Sequence, residues 1–171
     1  MSDVKRMAGP TPARGRTLVA VIGAMAAASL YASIPADEGE ELGAYRDIVG
    51  VWTICNGDTN DVRPGMVETK AGCRTRLERQ LIRHAEPVMA CSPRLKEAGR
   101  DYQRAAAVSL AYNVGVAAYC RSSVDRHFDA GRWRQGCDAL LMWNKAGGKA
   151  VRGLTLRRQR ERAVCLKGLA A

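Results

Sequence analysis

The chain has 171 residues and a net charge of +10, with 27 lysines and arginines against 17 acidic residues. That length suits one domain, which can have two lobes, and the positive charge is typical of proteins that meet nucleic acid, anionic membranes or anionic polymers. The basic residues are dispersed and form no nucleic-acid-binding motif, so we exclude a nucleic acid partner. An anionic polymer fits the charge, and so does a basic surface that serves only solubility.

The N-terminal part of the chain divides into a polar tail and an uncharged segment. Residues 1–16 are rich in glycine, proline and arginine and are net positive, which predicts a disordered tail. Residues 17–36 contain no charged residue, and twenty such residues can span the hydrocarbon core of a bilayer as a helix. The basic tail before this segment and the acidic residues after it predict a cytoplasmic N-terminus.

Three interpretations of residues 17–36 stay open. Small residues near Ser33 allow a cleaved signal peptide. The segment can instead be a buried helix of the domain. It can also be an uncleaved anchor that leaves the membrane, because seven of its twenty residues are alanine and its retention in a bilayer would be marginal.

Residues 38–59 contain three side chains that can do chemistry together, namely Glu38, Asp47 and Thr53. The apolar residues between positions 48 and 54 favour strands, and Gly50 and Gly57 favour turns. We therefore expect Glu38 at the end of a helical turn, and Asp47 and Thr53 on or beside a short hairpin. Cleavage of a glycosidic bond needs one acid to protonate the leaving oxygen and one carboxylate to handle water or the developing positive charge.

The six cysteines are widely spaced and form no CxxC pair, and the chain has only two histidines. A zinc site is therefore not expected, and we predict neither a metal nor a cofactor. An even number of spaced cysteines indicates disulfides and an oxidising compartment, although free thiols in a cytosolic protein are the alternative. Fifteen pairings are possible for six cysteines. We predict that neighbours pair, as Cys55–Cys73, Cys91–Cys120 and Cys137–Cys165.

The order Glu38-x8-Asp47-x5-Thr53, with AYRDxxGxxT inside it, resembles the catalytic pattern of the phage-type lysozymes, the endolysins of glycoside hydrolase family 24. The similarity continues through AAAVSLAYNVG at 105–115, DAGRW at 129–133 and WNKAGGKAVRGLTLRRQRERAVCL at 143–166. It therefore covers the chain from about residue 36 to the C-terminus. Two residues depart from the family pattern: Asp58 stands where a histidine is frequent, and Asn56 where an aromatic or aliphatic residue is common.

This resemblance implies an α+β, lysozyme-like fold, in which a small N-terminal lobe with a β-hairpin, a long linking helix and a helical C-terminal lobe enclose a cleft. It implies hydrolysis of the β-1,4 bond between N-acetylmuramic acid and N-acetylglucosamine in peptidoglycan. Glu38 would be the general acid, kept protonated by apolar neighbours. Asp47 and Thr53 would position water or stabilise the developing charge.

Some phage-type lysozymes carry a signal-anchor-release segment, which residues 17–36 resemble in alanine and glycine content and in position. The resemblance thus favours the releasable anchor, with residues 37–171 as the catalytic domain. It implies a location first in the inner membrane of the host and then in its periplasm. We expect a monomer.

Two residues further along the chain are candidates for binding the substrate. Asn113 is a candidate ligand for sugar acetamido groups, or else it caps a helix. Arg157 is a candidate ligand for peptide or carboxylate groups of peptidoglycan, or else it belongs to a solvated basic face.

The downstream helices are predicted from their caps and breakers. Thr69 is predicted to cap a long helix that Pro87 kinks or ends near Glu86, and Thr155 to cap the last helix. The arginines of the long helix are expected to form a solvated stripe, at positions 74, 76, 79 and 83.

Two rival functions remain open at this point. A lytic transglycosylase would act on the same bond but needs a single essential acid and makes a 1,6-anhydro product. A non-enzymatic, membrane-anchored cationic protein would bind cell wall or permeabilise membranes, and the loss of the Glu38 carboxyl would hardly affect it.

Overall fold

The computed structural model describes residues 16–169, which fold into helices and two small antiparallel hairpins. The predicted tail lies outside these residues except for Arg16, whose guanidinium is 3.7 Å from the Glu86 carboxylate. Two short 3-10 helices span Pro93–Lys96 and Leu140–Met142. The other elements, in chain order, are α1 (Leu18–Ile22), α2 (Ala24–Glu38), β1 (Glu41–Arg46), β2 (Trp52–Cys55), α3 (Lys70–Cys91), α4 (Asp101–Val114), α5 (Val116–Tyr119), α6 (Ser123–Asp129), α7 (Trp133–Ala139), β3 (Lys145–Ala146), β4 (Lys149–Ala150) and α8 (Arg152–Leu166).

The uncharged N-terminal segment is part of the core. Gly23 separates α1 from α2. Its φ is 87°, a non-helical conformation in which a residue with a side chain would be strained. Both helices bury an apolar stripe in the cluster that also contains residues of α3, α4 and α8; its members from α1 and α2 are Leu18, Ile22, Ala26, Ala27, Leu30 and Ile34. Within residues 16–169 no helix is both long enough and apolar enough to cross a bilayer.

The first hairpin follows α2 after a single turn at Gly39, whose φ of 79° ends the helix. Strands β1 and β2 pair antiparallel, with Tyr45 opposite Thr53 and Arg46 opposite Trp52. Residues 66–68 run along the other edge of β1, where Ala44 donates to the Met66 carbonyl at 2.8 Å. The C-terminal end of α2 therefore lies directly beside the small sheet.

Helix α3 joins the two lobes and contributes to both of their cores. Near its start Cys73 packs with Ile54 and Cys55 in the small lobe, and from Leu77 onward its buried residues belong to the larger core. The predicted cap is confirmed, since the Thr69 hydroxyl accepts from the Gly72 N–H at 3.0 Å. Of the two predicted effects of Pro87, an end near Glu86 is wrong: the helix continues to Cys91, and Val88 and Met89 after the proline are buried. Pro87 has no N–H to donate within the helix, and the burial of Val88 and Met89 offsets the loss of that hydrogen bond.

The centre of the large lobe is α4, which packs against α2, α3 and α8. Its residues 105–111 are all buried, as expected of a helix surrounded on every side. The last helix begins at Arg152, with Val151 as its cap, so the predicted cap at Thr155 is wrong. The Thr155 hydroxyl instead donates to the Val151 carbonyl inside the first turn.

All three predicted disulfides are confirmed: Cys55–Cys73, Cys91–Cys120 and Cys137–Cys165. The first joins β2 to α3, the second joins the end of α3 to the residue after α5, and the third joins α7 to α8. The expected lysozyme-like α+β architecture is also confirmed, with a hairpin lobe, a linking helix and a helical lobe.

Candidate active site

Glu38 is the last residue of α2, at the junction of the two lobes, as the sequence predicted. The residue after it, Gly39, is tied to the hairpin because the Asn56 side-chain amide donates to the Gly39 carbonyl at 2.5 Å. The Asn56 carbonyl in turn lies 2.9 Å from the Tyr112 hydroxyl, which comes from α4. Asn56, a departure from the family pattern, thus fixes the end of α2 relative to the small sheet.

Arg157 of α8 is the side chain that contacts Glu38. Its Nη1 donates to Glu38 Oε1 at 2.5 Å, and its Nε lies 3.4 Å from Asp37 Oδ2 and 3.3 Å from Glu161 Oε1. Burial disfavours the charge of this guanidinium, but the hydrogen bond to Glu38 and the carboxylates around it raise its pKa above the ordinary value. A cation therefore contacts the Glu38 carboxylate, and the apolar neighbours expected around it stay a prediction.

A second arginine, Arg158, lies behind this contact and is fully buried. Its Nη2 donates to Glu161 Oε1 at 2.9 Å, and the same oxygen accepts from the Ser109 hydroxyl of α4 at 2.6 Å. Burial raises the pKa of Glu161 and lowers that of Arg158. Asp37 also accepts from the exposed Arg160. These ion pairs fasten the end of α2 to α8, and the hydrogen bond from Ser109 to Glu161 joins α8 to α4.

Asp47 follows β1 and forms the base of the hairpin turn. Its Oδ1 accepts from the backbone N–H groups of Val49 at 3.0 Å and Val51 at 2.8 Å. Its own N–H donates to the Val51 carbonyl at 3.0 Å, which extends the ladder by one pair. The carboxylate therefore has a fixed orientation.

Thr53 lies in β2 and is buried, and its hydroxyl donates to the Val51 carbonyl at 3.1 Å. Because side chains alternate along a strand, Asp47 and Thr53 lie on the same face of the hairpin. The predicted positions of Glu38, Asp47 and Thr53, at a helix end and on a hairpin, agree with the fold.

Asp58, the other departure from the family pattern, is buried and paired with α3. Its Oδ2 accepts from Arg76 Nη1 at 2.8 Å, and its Oδ1 accepts from the side-chain amide of Asn60 at 2.7 Å. Burial by itself would raise the pKa of Asp58, but the hydrogen bonds from Arg76 and Asn60 lower it overall. Arg76 also binds Glu68 at 2.8 Å, so its expected place in a solvated stripe is wrong.

Tyr112 is a site residue that sequence reasoning assigned only to the core. Its hydroxyl lies 2.6 Å from Gln80 Oε1 as well as 2.9 Å from the Asn56 carbonyl. Burial, followed by the negative charges of Glu38 and Asp58, raises its pKa. The motif LAYNVG at 110–115, with a tyrosine directly before the candidate Asn113, was the signal that could have identified it. Asn113 itself is half-buried in the last turn of α4.

Within residues 16–169 no group of three or more histidine, cysteine, aspartate or glutamate side chains is placed to hold a metal ion. The candidate residues supply carboxyl groups, a hydroxyl and a guanidinium. The hairpin lobe, the linking helix and the helical lobe together define the class of fold, which is lysozyme-like.

Comparison with known proteins agrees with this class. The family model described as phage lysozyme matches residues 36–161. The SAR-endolysin of Enterobacteria phage P21 is 37% identical over 164 residues, covering 92% of this chain and 98% of the relative. The structure of a P22 lysozyme mutant has a TM-score of 0.70 at 32% identity, covering 80% of this chain and 94% of that one. The crystal structure of the active form of the P1 phage endolysin Lyz has a TM-score of 0.76 at 24% identity, covering 90% and 93%.

The chain belongs to the phage lysozyme family. It is a glycoside hydrolase that degrades peptidoglycan.

Proposed function

We propose that the chain hydrolyses the β-1,4 bond between N-acetylmuramic acid and N-acetylglucosamine, with Glu38 as the general acid. The observation that carries this proposal is that contacts from both lobes converge on the end of α2. Asn56 of the small lobe holds Gly39, and Arg157 of the large lobe holds the Glu38 carboxylate. A catalytic acid held from two sides keeps its orientation when a glycan enters between the lobes.

Asp47 and Thr53 would serve the attacking water. One oxygen of Asp47 accepts two backbone N–H groups, so the other oxygen is held in a constant direction and can accept a hydrogen from water. The Thr53 hydroxyl donates its hydrogen to the Val51 carbonyl, and its oxygen can also accept a hydrogen bond from the attacking water. Glu38 would then protonate the leaving oxygen while the water attacks the sugar carbon.

The two predicted substrate ligands have different surroundings. Asn113 directly follows Tyr112 and is half-buried, and we propose that it binds an acetamido group of the substrate. The contact of Arg157 with the cell wall stays a prediction. The Arg157 side chain is only 6% exposed and is surrounded by carboxylates of the protein itself. These contacts support a positioning role in which Arg157 acts through Glu38.

Product analysis combined with Asp47→Asn tests the proposed reaction. We expect reducing-end muropeptides from the wild-type protein, and a loss of activity of about a hundredfold or more in Asp47→Asn, because the water loses its carboxylate. The measurement is turbidity loss of purified peptidoglycan with mass analysis of the fragments. Products lighter by one water, with nearly full activity in Asp47→Asn, would instead establish a lytic transglycosylase.

We also propose that residues 17–36 first span the inner membrane, with a cytoplasmic N-terminus, and then leave it to fold as α1 and α2. The supporting observations are an uncharged, alanine-rich segment and several relatives named SAR-endolysins. While the segment spans the bilayer, Glu38 would be held at the membrane surface, away from Arg157 and the hairpin.

The structure shows how to test the anchor without disturbing the fold. Ala28 and Ala32 are exposed on α2, so leucine at both positions leaves the docked core intact. Two leucines favour the membrane by about 1 kcal/mol in total, or about fivefold. We expect Ala28→Leu/Ala32→Leu to shift the protein from the soluble periplasmic fraction to the membrane and to delay lysis, whereas Ala28→Ser/Ala32→Ser does not. Equal fractionation of both variants and unchanged lysis would reject the releasable anchor.

The division of the chain at residue 37, the monomeric state and the absence of a nucleic acid partner stay predictions. In the docked state described here, residues 18–36 and the predicted catalytic domain share one hydrophobic core. A deletion of these residues would therefore remove core side chains, and full-length variants are the suitable material.

A further inference from the structure

The turn of the first hairpin carries aliphatic side chains that the fold leaves in solvent. Ile48 and Val49 are 104% and 77% exposed, and Val51 on the other side of the turn is 45% exposed. Single exposed apolar residues are ordinary on protein surfaces. Three within four positions at the tip of a hairpin form a contiguous apolar feature, which indicates a contact with something outside the chain.

Hydrogen bonds hold the backbone of this turn, and the side chains of Ile48 and Val49 take no part in them. Asp47 Oδ1 accepts from the N–H groups of Val49 and Val51, and the Asp47 carbonyl accepts from the Gly50 N–H at 2.9 Å. Arg46 Nη1 donates to the Gly50 carbonyl at 2.9 Å. Serine at positions 48 and 49 would keep these backbone bonds. The aliphatic side chains are therefore not required by the turn.

The neighbours of the tip complete an amphipathic surface. The Arg46 guanidinium lies 4.9 Å from the centre of the Trp52 ring, one residue pair below the turn. Tryptophan and arginine both place an apolar body in a membrane interface while a polar end stays hydrated. Arg46 and Asp47 are the only charged residues between Leu42 and Gly57, and Asp47 is engaged by backbone amides. The charges of Arg46 and Asp47 balance, so the attraction to an anionic surface comes from the net charge of +10 of the whole chain.

A glycan is a poor match for this surface. Sugars are bound through hydrogen-bonding groups and aromatic faces, and the side chains of Ile48 and Val49 provide neither. An anionic bilayer matches both parts of the tip, because its acyl region receives aliphatic side chains and its headgroups attract the arginine and the net charge of +10.

We propose that the hairpin tip, formed by Ile48 and Val49 and flanked by Arg46 and Trp52, docks on the surface of an anionic lipid bilayer. The tip is a second membrane contact, separate from residues 17–36, and it stays available when α1 and α2 are packed in the core. Since Asp47 is the base of the same turn, docking places Asp47 close to the membrane surface. This inference does not depend on which glycosidic bond is cleaved.

Vesicle binding of full-length variants tests the proposal. We expect Ile48→Ser/Val49→Ser to lower binding to phosphatidylglycerol-containing vesicles about tenfold, because two aliphatic side chains no longer leave water. The matched control is Val67→Ser, which alters a residue that is 75% exposed on the same lobe but pairs with Gly43, away from the turn. It should bind as the wild type does. Vesicles of phosphatidylcholine alone should bind all variants weakly.

A site-specific measurement separates the tip from the N-terminal segment. In vesicles with brominated acyl chains, Ile48→Trp should show quenching beyond that of the wild type, and Val67→Trp should not. Activity on soluble peptidoglycan fragments should stay within about twofold in Ile48→Ser/Val49→Ser if the Asp47 turn is intact. Equal vesicle binding by the serine variant and the wild type, together with no extra quenching of Ile48→Trp, would overturn the proposal. Loss of binding to insoluble peptidoglycan with unchanged vesicle binding would also overturn it and assign the tip to the glycan.

Discussion

Glu38→Gln is expected to lower peptidoglycan hydrolysis by about a hundred- to ten-thousand-fold, the usual contribution of a general acid. Glutamine has nearly the same size as glutamate and its carbonyl can still accept from Arg157 Nη1, so the contact that holds the end of α2 to α8 is retained. What is lost is the proton that the leaving sugar oxygen requires. Turbidity loss of purified peptidoglycan measures the effect directly.

The matched control for this variant is Glu40→Gln, two residues further along the chain. Glu40 is exposed and lies in the same acidic run, so its substitution removes the same charge from the same part of the surface. We expect it to retain activity within about twofold, because a single exposed charge contributes little. If Glu38→Gln kept more than a tenth of the wild-type activity with an unchanged thermal melt, Glu38 would not be the acid. Full wall binding and lysis by such a variant would favour the cationic, non-enzymatic alternative.

Glu161→Gln is expected to destabilise the folded state by about 3–5 kcal/mol, which is the cost of removing one partner from a buried ion pair. Arg158 is 0% exposed, and within residues 16–169 Glu161 is the carboxylate with which it forms an ion pair. Glutamine still accepts hydrogen bonds, but it leaves the guanidinium charge in the core without compensation. For a chain of this size we expect the melting temperature to fall by roughly 6–20 °C.

Two further variants show whether that loss comes from the buried charge. Glu97→Gln breaks an ion pair with Arg94 at a similar N–O distance, 2.7 Å, but on the surface, and it should cost less than about 1 kcal/mol. Arg158→Met/Glu161→Leu removes both charges and should recover most of the stability, since apolar residues of similar volume tolerate burial. A melting temperature of Glu161→Gln within about 2 °C of the wild type would show that Arg158 finds another partner.

The same variant connects stability with the candidate site. Glu161 Oε1 also lies 3.3 Å from Arg157 Nε, and Arg157 holds Glu38. Glu161 and Arg157 therefore couple the packing of α8 against α4 to the position of the proposed catalytic acid. Activity of Glu161→Gln below its melting temperature should fall more than that of Glu97→Gln, because only the former disturbs Arg157.

Much of this protein is determined by local sequence. Gly39 ends α2 directly after Glu38, Gly50 turns the hairpin between Asp47 and Thr53, and Thr69 starts the linking helix, each through a backbone preference that acts over a few residues. The spacing of the three candidate catalytic residues and the similarity downstream of them were sufficient to predict the fold class and the phage lysozyme family. Local patterns report these features because their causes are local.

Only the tertiary structure decided which charges are buried and with which partners. Arg157 was expected on a basic face or at the substrate, and Arg76 in a solvated stripe, because lysines and arginines are seldom fully buried. In the fold Arg157 meets Glu38 across 119 residues of chain, and Arg76 meets Asp58 across 18. Such pairs form because helix packing removes both groups from water at the same place. The periodicity of the sequence does not show which distant residues will meet there. The sequence alone therefore located the candidate acid, whereas the folded chain decided what holds it.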